Sequence, residues 1–124
     1  MSVQIQSHPT AFPASTPVDG SVTLSVDVLV SDDLEHLDLD YIITDQKSAV
    51  YFGNGRKEER RRKRVTGTQM RLAEQLDLKC GDKHHQAVGA EILLSISSKG
   101  VPQVPPVPYS IGITRFTCGQ GGGQ

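Results

Sequence analysis

Residues 21–30 read Ser21-Val22-Thr23-Leu24-Ser25-Val26-Asp27-Val28-Leu29-Val30, and this stretch decides the fold class. Val22, Leu24, Val26, Val28 and Val30 are apolar, with Ser21, Thr23, Ser25 and Asp27 between them. Successive side chains of an extended chain point to opposite faces, so the alternation describes a strand with one buried and one wetted face. Val is also a side chain that fits a pleated, half-buried surface.

Working outward, the same period recurs. Ser31-Asp32-Asp33 reads as a turn. After it, Leu37, Leu39, Tyr41 and Ile43 share one face and Asp38 and Asp40 the other. Residues 49–52 read as a short strand closed by Gly53-Asn54-Gly55, in which Asn-Gly is a tight-turn dipeptide. Val88, Ala90, Ile92, Leu94 and Ile96 oppose Glu91, Ser95 and Ser97, while Leu93 interrupts the polar side, as suits a central strand. Tyr109, Ile111 and Ile113 open a last strand running to about Cys118. Residues 68–77 are ambiguous. Met70, Ala73 and Leu76 lie at helical spacing, whereas Leu72, Leu76, Leu78 and Cys80 suit period two, and a short helix or irregular turn leading into a strand is expected there.

Val3 and Ile5 suggest an edge strand, and Pro9, Pro13 and Pro17 make the rest of residues 1–20 an extended arm. Pro102, Pro105, Pro106 and Pro108 suggest a stiff connector of polyproline II type. Residues 119–124 read as a flexible Gly-rich tail. The expected architecture is all-β: an antiparallel sandwich or barrel over residues 21–118 with a basic insertion at 56–64 and at most one short helix. Its rival is a single antiparallel sheet whose apolar face is covered by dimerisation.

A chain of 124 residues with no Trp, three Phe and three Tyr fits one domain with an aliphatic core. Its apolar runs fall far short of the roughly 18 residues that span a bilayer. The first twenty residues lack the basic start and apolar run of a secretory signal. A soluble protein of the cytoplasm or of an assembled particle, without a membrane partner, is therefore expected. Cys80 and Cys118 make no disulfide framework and read as reduced thiols, to be bridged only in an oxidising compartment.

The net charge of −1 conceals an uneven distribution. Residues 1–46 carry eight acidic side chains and no Lys or Arg, and the remainder has a net charge of +7. Seven of the thirteen basic residues lie in Arg56-Lys57-Glu58-Glu59-Arg60-Arg61-Arg62-Lys63-Arg64. Guanidinium groups match phosphate geometry, so Arg56, Lys57, Arg60, Arg61, Arg62, Lys63 and Arg64 are candidates for an RNA or DNA backbone or for an acidic protein surface. The absence of aromatic residues from the segment weighs against base stacking. A salt-bridged exposed helix is the plainer alternative, since Glu58 with Arg62 and Glu59 with Lys63 are spaced i,i+4. Asp27, Asp38 and Asp40 fall on the polar sides of their strands and would form an acidic patch if those strands were neighbours. A basic loop of one copy could then dock on the acidic face of another, giving a homo-oligomer.

Catalytic and metal signatures are missing. No Gly-x-Ser-x-Gly, His-Glu-x-x-His or phosphate-binding loop occurs. Cys80, Asp82, His84 and His85 cluster without a four-ligand zinc spacing, so neither metal nor cofactor is expected. Residues 20–54, a long alternating strand followed by an Asp turn and a Phe52-Gly53-Asn54 corner, resemble sugar- or protein-binding β-sandwich modules. That resemblance implies an accessory binding role through end loops such as residues 46–47 and 81–86. In size, amphipathic strands and basic segment the chain is also similar to a virion coat subunit. The leading expectation is a non-enzymatic structural or assembly subunit; nucleic-acid backbone binding and the accessory module are the alternatives.

Overall fold

The computed structural model describes residues 2–16, 20–47, 50–80 and 86–117. Among these the regular structure is all β, in two sheets packed face to face. The first sheet holds β1 (Val3–Ile5), β2 (Thr10–Phe12), β4 (Ser21–Val30), β6 (Val50–Phe52) and β8 (Gln69–Cys80). Its order is β1-β4-β8-β6, with β2 also against β4. The second holds β3 (Ser15–Thr16), β5 (His36–Ile43), β7 (Glu58–Arg64), β9 (Gln86–Ser98), β10 (Val101–Pro102) and β11 (Val107–Thr117). Its order is β3-β11-β9-β5-β7, with β10 also on β9. All pairings are antiparallel except the short parallel contact of β3 with β11.

The alternation that predicts β4 is obeyed residue by residue: Val22, Leu24, Val26, Val28 and Val30 are buried and their neighbours half-buried. Leu37, Leu39, Tyr41 and Ile43 of β5 meet them from the opposite sheet, together with Ile92, Leu94 and Ile96 of β9. Each fully buried Leu or Ile contributes about 1.5–3 kcal/mol. The core is thus aliphatic, as composition requires. Leu34, in the turn between β4 and β5, donates its amide to Ser31 O at 3.3 Å and packs over the end of the core. As Leu93 indicates, β9 is central, paired with β5 on one side and with β11 and β10 on the other.

From β4 to β9 every connection passes from one sheet to the other. Two tight turns have explicit backbone causes. Lys99 (φ 53°) and Gly100 (φ 82°) both take positive φ, which gives the β9–β10 hairpin the turn form that matches strand twist. At the Asn-Gly corner, Gly55 (φ 83°) donates to Phe52 O and Phe52 donates to Arg56 O, both at 2.8 Å. That corner does not join two paired strands. It carries the chain from β6 in the first sheet to β7 in the second.

The expected antiparallel sandwich is the fold found, and four finer expectations are corrected. The helix near residues 68–77 is strand β8: Met70, Leu72, Leu76 and Leu78 turn inward at period two, and Ala73, which completed the helical pattern, faces outward opposite Ser25. The molecule is not a closed barrel, because each sheet keeps its own end strands. Nor is it a single sheet in need of a second copy, because the second sheet of the same chain covers the apolar face of the first. The arm is partly strand, since Thr10–Phe12 pairs with β4 and Ser15–Thr16 with β11. The proposed tail, Cys118, Asp82, His84 and His85 lie outside the described residues. Among the described residues, no helix is long and apolar enough to cross a membrane.

Candidate interaction surface

The basic segment is neither an insertion nor a charged helix. Residues 58–64 form β7, the end strand of the second sheet, laid antiparallel on acidic β5. A strand sends alternate side chains to opposite faces, so the cluster splits in two. Glu59, Arg61 and Lys63 point toward the first sheet and are half-buried; Glu58, Arg60, Arg62 and Arg64 point outward and are exposed.

The outward set meets the acidic strand in register. Arg60 lies opposite Asp40 and Arg62 opposite Asp38. Arg60 Nε donates to Asp40 Oδ1 at 2.6 Å, and Arg62 Nε to Asp38 Oδ1 at 2.9 Å. The hydrogen bond from Arg60 and the charge of Asp40 hold the guanidinium above its ordinary pKa. Both arginines stay largely in water, at 74% and 67% side-chain exposure. Asp27 is elsewhere. It lies on β4, in the other sheet, where Arg71 Nε donates to its Oδ1 at 2.9 Å. That hydrogen bond lowers the Asp27 pKa. The structure therefore brings Asp38 and Asp40 together but does not add Asp27 to them, because β4 and β5 are consecutive in sequence and opposite in the sandwich.

The inward set closes the flank of the sandwich between β7 and β8. Glu74 of β8 occupies the inward row between Leu72 and Leu76 and is only 11% exposed. Arg61 Nε stands 3.5 Å from its Oε1 and Lys63 Nζ 2.5 Å from its Oε2. Arg61 also pairs with Glu59, and its Nη2 reaches Gln75 O at 3.4 Å. Four charged side chains thus stand where an apolar row would close a sandwich flank. Lys57, just before β7, is buried: its Nζ donates to Val50 O at 2.6 Å and sits 4.2 Å from the centre of the Tyr51 ring. Burial lowers its pKa, with Asp45 pulling the other way.

Of the seven basic candidates, Arg56 and Arg64 remain exposed and, among the described residues, have no carboxylate partner. Arg56 stands at the corner preceding β7, where Asn54 Oδ1 accepts from its amide at 2.7 Å. A shallow cleft of about 350 Å³ opens there, lined by Asp40, Asn54, Arg56, Glu58, Glu59 and Arg60. Glu74 is the residue sequence reasoning missed. Its signal was a single carboxylate interrupting the even-numbered apolar row of residues 70–78.

No protein-family model matches the chain, and no curated protein matches it either.

Proposed function

We propose that this chain is a non-enzymatic association module whose contact surface is edge strand β7 with the corner before it, and whose partner is acidic. The observation that carries the reading is the placement of the basic segment as the last strand of its sheet, with Arg60, Arg62 and Arg64 in one exposed row. In a strand, residues two apart lie about 7 Å apart, so the row presents regularly spaced cations on a rigid support. Arg56 extends the same basic rim toward the corner.

The internal ion pairs reshape the assembly reading. Asp38 and Asp40 already face Arg62 and Arg60 of the same molecule. Charge complementarity thus gives no reason for one copy to dock on another through these groups. An external acidic partner is favoured instead, because exposed ion pairs are weak enough to exchange partners and Arg56 and Arg64 have no carboxylate partner among the described residues.

Binding of fluorescein-labelled poly-L-glutamate at low salt tests the reading. Arg56→Glu with Arg64→Glu breaks no ion pair among the described residues and should weaken binding by about tenfold. Unchanged binding by that double variant, or no binding by the unaltered chain, removes the reading.

A further inference from the structure

Resting on that reading, we infer that the acidic partner binds as an added β-strand on the open edge of β7, an extended peptide with carboxylates at alternate positions. The hydrogen-bond phase of the β5–β7 ladder carries the inference. Ile43 N donates to Lys57 O and Val65 N donates to Glu35 O, each at 2.8 Å. In an antiparallel pair, residues that exchange backbone bonds alternate with residues that do not. The register pairs His36 with Arg64 and Ile42 with Glu58, so the odd-numbered residues of β7 spend their backbone groups on β5. The even-numbered residues, Glu58, Arg60, Arg62 and Arg64, direct theirs away from the sheet.

The outward carbonyl of Glu58 is taken by Asn54 Nδ2 at 2.8 Å. Among the described residues, Arg60 O has only a long 3.5 Å contact from Arg61 Nη1. The open edge therefore runs over Arg60, Arg62 and Arg64, and no described strand lies beyond it. The residues whose backbones face outward along the edge are also those whose guanidinium groups line the outer face. One extended peptide can meet both, by ladder hydrogen bonds and by cross-strand ion pairs.

The same geometry selects among occupants. A second copy pairing through β7 would set arginines against arginines, which is destabilising. A nucleic-acid backbone offers phosphate acceptors to the amides but, apart from the 2′-hydroxyls of RNA, no donors for the outward carbonyls. An acidic peptide satisfies donors, acceptors and cations together.

The test measures affinity for a fluorescein-labelled peptide alternating Thr and Glu, long enough to span β7, and for the same peptide N-methylated at the amides of one edge. N-methylation removes ladder donors without changing charge, and either one of its two registers should weaken binding by about tenfold. Two variants separate backbone from side chain. Arg62→Ser removes one cation and should weaken binding by about threefold, whereas Arg62→Pro also removes an outward N–H and should weaken it by about tenfold more. Because that N–H points away from β5, Arg62→Pro should keep the melting temperature of Arg62→Ser; should it unfold, the methylated peptides on the unaltered chain decide. Equal affinity for both methylated forms and the parent overturns strand addition while leaving the acidic-partner reading intact, provided Arg56→Glu with Arg64→Glu still weakens binding. Absence of any acidic-peptide binding overturns both. Tighter binding of an oligo-dT strand, or a dimer formed through β7 without peptide, also overturns the inference.

Discussion

Tyr41 and Tyr109 are the largest polar anomalies of the interior. Both are buried in the core, and among the described residues neither hydroxyl has a hydrogen-bond partner. Burial raises the Tyr41 pKa well above the ordinary tyrosine value; Tyr109 and Glu74 push the same way and Arg61 opposes. Burial alone pushes Tyr109 up to about 12. A buried hydroxyl without a partner costs free energy that a phenyl ring does not, so Tyr109→Phe should stabilise the chain by about 0.5–1.5 kcal/mol at neutral pH in chemical denaturation. The pH dependence has a definite sign. An unfolded tyrosine ionises near 10.0, while folded Tyr109 keeps its proton to about 12. Between those values the folded state binds more protons, so stability falls as pH rises, and Tyr109→Phe should flatten that fall. Lys57 acts oppositely. Its folded pKa lies below the ordinary 10.5, so between the two the unfolded state binds more protons and stability rises with pH. Lys57→Met should remove this rise; a stability profile identical to the parent's would contradict the burial of its ammonium.

At the scale of elements, β7 and β8 form the flank where charge replaces apolar packing. Glu74 receives Arg61 and Lys63 in a half-buried seam, where removing one partner costs more than the pair is worth, because the remaining charges lose their compensation. Glu74→Gln should therefore lower stability by about 1–3 kcal/mol. Combining it with Lys63→Met should recover part of that loss, read as a coupling in a double-mutant cycle. Full additivity would show that the seam carries no coupled interaction. Little of this flank was readable locally. Every residue from 58 to 64 is charged, so no alternation marks a strand, although Asp38 and Asp40 have the same spacing as Arg60 and Arg62. What was not readable was that β5 and β7 pair at all, because β6 comes between them in sequence and lies in the other sheet. The i,i+4 charge pattern then favoured a helix that tertiary pairing overrides. In residues 68–77, Ala73 fits either period, and only pairing with β4 decides for strand.

For the whole molecule, alternation along β4, β5 and β9 suffices for the fold class because those strands bury one face each. Sheet membership does not follow from it. Amphipathic strands are interchangeable by period, and here each connection from β4 to β9 crosses the sandwich, which no local turn signal records. The consequence reaches function. The acidic first part and the basic second part look like surfaces made for separate molecules, yet the crossing topology lays β7 on β5 and β8 on β4, so Asp38, Asp40 and Asp27 find Arg62, Arg60 and Arg71 within one chain. An assembly driven by those charges would strengthen as salt is lowered, since screening acts most on exposed groups. With the charges satisfied internally, molar mass by sedimentation should stay that of one chain, 13.4 kDa, across a salt series. Adding the acidic peptide should raise it only by the peptide's own mass, because the described residues form one edge of this kind on each molecule. A mass that climbs as salt falls would return the charges to contacts between copies, and with them the head-to-tail assembly that the internal pairing argues against.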